Sequence, residues 1–277
     1  MTSLNLKKFD ISSIRKDSTI VVIGRRGSGK SYFVRDLLYH KRDVPLGSVI
    51  SASESSNAFY SNIVQSIFIH DSYEPEIIAN LVKRQKLVTN KMKKQQALYG
   101  KSNIDPFSFL ILDDLMYDSS RWIKDVNVRD IFMNGRHFNL MFLITMQYPL
   151  GIPPSFRTNI DYTIIFKDPI LSNRKRIYDH YAGMFPTFEI FNQVMNQCTE
   201  NYECLVISSR NASNSLTDMV YWYRSETHPP FKLGAPEFWQ YHNANYAEQN
   251  EEESDEIDIN SVKKNKNAIT VNVKKTY

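Results

Sequence analysis

Two cysteines, Cys198 and Cys204, are all that this chain of 277 residues contains. Disulfides therefore do not organise the fold, and a reducing compartment is expected. No apolar run approaches the length needed to cross a bilayer. The stretch Met1–Asp10 lacks the apolar core and cleavage site of a signal peptide. Six histidines are scattered without metal-ligand spacing, so structural roles are expected for them rather than a zinc site. At 277 residues the chain suits one large α/β domain or one domain plus appendages, and hydrophobic residues at 42% with aromatics at 13% are globular values. The net charge of +4 is uneven. Seven acidic residues and five lysines lie from Glu248 onward, leaving 29 basic and 23 acidic residues, a net of +6, for positions 1–247. A mildly basic body is compatible with a polyanionic partner.

The strongest signal is local. Ile20–Ile23 is an apolar run that reads as a buried strand, and Tyr32–Tyr39 is an amphipathic run that reads as a helix. Between them stands Gly24-x-x-x-x-Gly29-Lys30-Ser31, the phosphate-binding loop pattern in the strand–loop–helix context it requires. Gly24, Gly27 and Gly29 let the amides of Arg25, Arg26, Ser28 and their neighbours curl around phosphate oxygens. The helix N-terminus near Lys30 adds a favourable dipole. Lys30 supplies a cation for the β- and γ-phosphates, and the Ser31 hydroxyl a ligand for Mg2+. A nucleoside triphosphate, ATP, is the expected ligand.

The remaining chain alternates apolar strands with helices. Strands are expected at Ser18–Ile23, Gly47–Ala52, Ser66–Ile69, Phe107–Leu112, Leu140–Thr145, Asp161–Phe166, Glu203–Ser208 and Met219–Tyr223. Helices are expected at Lys30–His40, Glu74–Tyr99, Val126–His137, Leu171–Ala182 and Phe188–Gln197. In the long second helix, Ile77, Leu81, Val88 and Met92 mark the expected buried face. Near-continuous apolar strands between helices indicate a mainly parallel twisted sheet covered on both faces, with the last two strands as an antiparallel edge. The expected division is a lead-in at 1–17, an ATPase core at 18–224 and a C-terminal extension at 225–277, disordered or partner-bound from about 243.

A phosphate loop needs a carboxylate from a neighbouring strand. Phe109–Leu112 leads into Asp113 and Asp114. Asp113 is expected to reach the Mg2+ shell, and Asp114 the water that attacks the γ-phosphate; the alternative is a helix N-cap. The strand through Thr145 ends at Gln147 before Pro149, so the Gln147 amide is expected beside the γ-phosphate, or as an ordinary strand-end residue. Lys83, Arg84, Lys91, Lys93 and Lys94 either track a DNA backbone or form a solvated helix face.

These motifs occur in one order: the loop, Asp113-Asp114, Gly135-Arg136-His137, Ile144-Thr-Met-Gln147, and Pro154-x-x-Arg157-x-Asn159-Ile-Asp161. The chain thereby resembles the genome-packaging ATPases of nucleocytoplasmic large DNA viruses, the poxvirus-type branch of the FtsK/HerA P-loop superfamily, over residues 18–224. The resemblance implies a RecA-like ATPase core and a homo-oligomeric ring. It implies ATP-driven translocation of double-stranded DNA, a capsid or portal-vertex partner, and action at the virus assembly site in the host cytoplasm or in the virion. It also implies an arginine acting on the transition state. Arg136 fits the family's arginine-bearing segment; Arg129, Arg157, Arg25 and Arg26 stand as alternatives. Rival readings are a P-loop nucleotide kinase with Arg174-Lys175-Arg176 as its lid, or another NTPase not acting on DNA.

Overall fold

The computed structural model describes residues 4–210, 213 and 215–246. Among the described residues, eight strands form one mixed sheet: β1 (Thr19–Ile23), β2 (Gly47–Ser51), β3 (Ile69–His70), β4 (Ser108–Asp113), β5 (Leu140–Met146), β6 (Tyr162–Phe166), β7 (Glu203–Ser208) and β8 (Val220–Arg224). Their order is β3-β2-β4-β5-β1-β6-β7-β8. Pairing is parallel from β3 to β6, and antiparallel for β6 with β7 and β7 with β8. This is the mainly parallel sheet with an antiparallel edge that the sequence indicates.

The reason for the uninterrupted apolar strands is visible at β1, where all five residues are buried and the four apolar ones, Ile20 to Ile23, alternate between two cores. Val21 and Ile23 face one core with the helices Pro75–Tyr99, Val126–Asn134, Leu171–Tyr181 and Phe188–Cys198. Ile20 and Val22 face the other with the helix Lys30–His40. No membrane-length apolar helix occurs among the described residues.

Several expectations shift. The segment Ser66–Ile69 is a 3-10 turn at Ser66–Phe68 followed by the two-residue β3. The Val126 helix ends at Asn134, and Gly135–Phe138 tightens into a 3-10 turn. The long helix turns a different face to the core: Ile78, Leu81, Val82, Gln85 and Thr89 are buried, whereas Ile77, Val88 and Met92 are only partly so. Its face is fixed by polar contacts. Gln85 Nε2 donates to the carbonyls of Pro106 and Phe138, each at 2.8 Å, and Thr89 Oγ1 accepts from Asn139 at 3.1 Å. Past Arg224 a helix forms at Pro236–Tyr246 and runs through position 243; the rest of the expected tail lies outside the described residues.

The segment after β8 is clasped onto the Lys30–His40 helix by Asp36, a fully buried carboxylate. Asp36 accepts from Tyr223 OH at 2.7 Å and from the Glu226 amide at 2.8 Å, and meets His228 Nε2 at 2.7 Å and His40 Nε2 at 3.5 Å. Two of the histidines thus converge on one carboxylate, a grouping hidden in the sequence by the 187 positions between His40 and His228. Replacing Asp36 with Ala leaves these buried donors without an acceptor. The expected cost is about 3 kcal/mol, read as a lower urea midpoint with an unchanged slope; an unshifted midpoint would mean that the clasp contributes nothing.

Candidate functional site

Sheet register assembles the site. Across β4 and β5, Asp113 lies opposite Thr145; across β1 and β5, Ile23 lies opposite Met146. The loop after β1, the acidic pair at the end of β4 and Gln147 after β5 therefore meet at the carboxyl edge of the sheet, where open α/β sheets hold their ligands. The Gly24 amide donates to the Met146 carbonyl at 3.0 Å, tying the loop to that edge.

The loop needs its glycines. Gly27 has φ +76° and Gly29 φ +111°, backbone values that disfavour a side chain. At Gly24 a Cβ would stand 2.5 Å from Ser28 Oγ and 2.8 Å from Phe166 Cβ. Gly29 is the N-cap of the Lys30–His40 helix, so Lys30 and Ser31 begin it. Lys30 Nζ folds back, donating to the carbonyls of Gly24 at 2.8 Å and Arg25 at 3.2 Å. Burial lowers the Lys30 pKa, against the opposing pull of Asp114 and Asp113.

Thr145 organises the carboxylates. Its hydroxyl donates to Asp113 at 2.6 Å and accepts from the Asp114 amide at 3.0 Å. Burial raises the Asp113 pKa, helped by the adjacent Asp114 charge and opposed by hydrogen bonds from Thr145, Ser51 and Tyr60. Asp114 adopts φ +54°, a left-handed conformation that Asp and Asn tolerate best among residues with a side chain. Its carboxylate accepts from Gln147 Nε2. The N-cap alternative fails for Asp113, which is the last residue of β4 with its side chain engaged by Thr145 and Ser51. The Ser31 hydroxyl and the Asp113 carboxylate are the hard oxygen donors that Mg2+ takes. A buried carboxylate beside a second one is also a place that a divalent cation would neutralise.

The chain matches the model of the poxvirus A32 protein over residues 6–173. It belongs to that family. An uncharacterized protein, L437, of Acanthamoeba polyphaga mimivirus is 39% identical over 243 residues, covering 87% of this chain and 84% of the relative. Another, 075L of Invertebrate iridescent virus 6, is 40% identical over 233 residues, covering 79% and 83%. Among solved structures, the genome packaging NTPase B204 of Sulfolobus turreted icosahedral virus 2 in complex with AMP has a TM-score of 0.53 at 16% identity, covering 77% of this chain and all of that one. That likeness shows the fold.

In this A32 family member the arginine candidates are spread widely. Arg25 and Arg26 are exposed on the loop and line a cavity of about 320 Å3 together with Ser28, Gln147 and Lys167. Arg136 lies before β5, at the opposite edge of the sheet, where Nη2 donates to Asp161 Oδ1 at 2.8 Å. The seven residues of β5 put about 20 Å between that edge and the loop. Arg157 is half-buried against the Tyr181 ring, 5.6 Å from its centroid, and Arg129 is exposed on the Val126–Asn134 helix. Arg174 is buried and donates to the Asp168 carbonyl and to Asn192 and Asn196. Lys175 is engaged by Asp179. The Arg174-Lys175-Arg176 triplet is therefore not the free cationic lid that a kinase reading requires.

Lys83, Lys91, Lys93 and Lys94 are exposed, and Arg84 is half-buried, on the Pro75–Tyr99 helix. That helix, about 37 Å long, outruns the strands it covers, and nothing from Asn90 to Tyr99 is buried. The basic run lies away from the loop. Thr145, Ser51 and Tyr60 were not singled out in the sequence as site residues. Strand register brings Ser51 and Thr145 to Asp113, and the loop after β2 brings Tyr60, neither of which a local pattern encodes.

Proposed function

We propose that this chain is an ATP-hydrolysing motor that moves double-stranded viral DNA into a capsid. One observation carries the hydrolytic part: Asp113, Thr145, Asp114 and Gln147 form a single hydrogen-bonded chain at the edge that bears the phosphate loop. In this reading the loop amides and Lys30 hold the β- and γ-phosphates. Ser31 and Asp113 would hold Mg2+, which would supply charge neutralisation at the phosphates. Asp114 orients and deprotonates the attacking water, and Gln147, held by Asp114, senses whether the γ-phosphate is there. An arginine from a neighbouring ring subunit, Arg136, completes the transition-state charge.

DNA as the substrate is supported by membership of the A32 family and by the likeness in fold to a protein titled a genome packaging NTPase. The overhanging lysines of the Pro75–Tyr99 helix offer a surface for its phosphates. A ring of copies docked on a capsid vertex, working at the site of virus assembly, follows from the same reading. The kinase alternative loses its lid, since Arg174 is built into the core.

ATPase rates of wild-type and Lys30→Ala protein, with and without long double-stranded DNA, test this. Wild-type hydrolysis should rise several-fold with DNA, and Lys30→Ala should hydrolyse nothing above background. DNA binding should ignore sequence and fall steeply with salt. Replacing Lys91, Lys93 and Lys94 together with Ala should weaken binding and flatten that salt slope by about three charges. Hydrolysis indifferent to DNA, with no DNA bound at low salt, would sink the motor and leave an NTPase of another kind.

A further inference from the structure

Beside the loop, on the side away from Gln147, lies a cavity of about 510 Å3 that continues from Gly27, Gly29, Lys30 and Ser31 to Tyr32, Tyr202, Arg224 and Ser225. Its size lies within the range of small-molecule sites. Two of its walls are tyrosines left open to solvent, Tyr32 at 64% and Tyr202 at 67% exposure. Aromatic rings of that size are ordinarily far more buried, so two at the rim of one cavity call for an occupant.

The backbone works to place one of them. Asn201 and Tyr202 both have positive φ, +51° and +63°. Consecutive left-handed residues with side chains cost energy, and such strain collects at ligand sites. The turn sets Tyr202 against the first turn of the loop: a Cβ on Gly29 would lie 3.7 Å from Tyr202 Cβ. The antiparallel edge supplies the third wall. Glu203, next to Tyr202, pairs with Arg224 across β7 and β8, so that Arg224 and Ser225 arrive at the same rim. Arg224 is exposed there, a donor-only fork.

We propose that this cavity holds the nucleoside of the triphosphate, with the base against the rings of Tyr202 and Tyr32 and with Arg224 donating to its polar edge or ribose. The assignment rests on the loop binding the phosphates. It gives the antiparallel edge, which takes no part in the phosphate chemistry, a role in holding the ligand. Base recognition by ring faces tolerates exposed side chains, because every base offers a π-face.

The test compares the affinities of Mg-ATP and Mg-tripolyphosphate, which shares the phosphates and lacks the nucleoside, by calorimetry. Wild-type protein should prefer ATP by ten-fold or more. Tyr202→Ala should lose most of that preference while holding tripolyphosphate as wild type does, which also certifies its fold. Tyr202→Trp should restore the preference, and Arg224→Ala should lower it several-fold. If wild-type protein binds tripolyphosphate but Tyr202→Ala and Arg224→Ala keep the full preference for ATP, the nucleoside lies elsewhere and only this assignment falls. If wild-type protein binds neither ligand, the phosphate-loop reading falls and takes the nucleoside pocket with it.

Discussion

Asp114→Asn should bind ATP as wild type does and turn it over about a thousand-fold more slowly, within the range that removal of a general base produces. The substitution isolates charge. Asn tolerates φ +54° at least as well as Asp, its backbone amide still donates to Thr145, and its side-chain oxygen still accepts from Gln147. What disappears is the carboxylate that can take a proton from water, an interaction needed in the transition state and not in the ground state. Lys30→Ala should behave in the opposite way, with affinity itself collapsing, because in the proposed reading Lys30 would contact phosphate in both states. Nucleotide affinity and single-turnover hydrolysis measured on both variants separate the two effects. Wild-type-like turnover in Asp114→Asn would hand the water-orienting role to another residue.

Arg136→Ala should also bind ATP normally, assemble, and hydrolyse about a thousand-fold more slowly, the scale of a lost arginine finger. The fold should survive the change. Asp161 retains Arg210 at 3.2 Å and the Thr19 amide at 2.8 Å, and Arg136 is half exposed. With β5 between them, Arg136 is too far from its own loop to act there, so any catalytic effect must be exerted on a neighbouring subunit. Mixing Arg136→Ala with Lys30→Ala protein makes the distinction measurable. Some interfaces then pair an intact loop with an intact arginine, and partial activity should return. Mixtures as inactive as both parents, together with inactive Arg25 or Arg26 variants, would move the arginine into the subunit that binds the nucleotide.

Legibility in the sequence followed the range of the interactions. The loop, its strand and its helix are contiguous, and the boundaries Lys30–His40 emerged as expected. The acidic pair at the end of β4 and the strand ending before Gln147 were legible to within one residue, because runs of apolar residues report burial on both faces of a sheet. The face of the long helix was misjudged because Gln85 and Thr89, polar in type, are buried by hydrogen bonds to chain segments 21 to 53 positions away. Apolar periodicity cannot register a buried amide.

The sequence by itself determined the fold class, the strand–loop–helix around Gly24–Ser31 and the position of Asp113 and Asp114 at a strand end, since each is written in local runs of residues. Only the tertiary structure decided that Thr145 bridges Asp113 and Asp114 and that Asp36 gathers Tyr223, His228 and the Glu226 amide. It likewise put Arg136 at the far edge of the sheet and Tyr202 beside Gly29. Those contacts depend on which strands lie side by side and in what register, and that is set by the packing of the whole sheet rather than by any local run of residues.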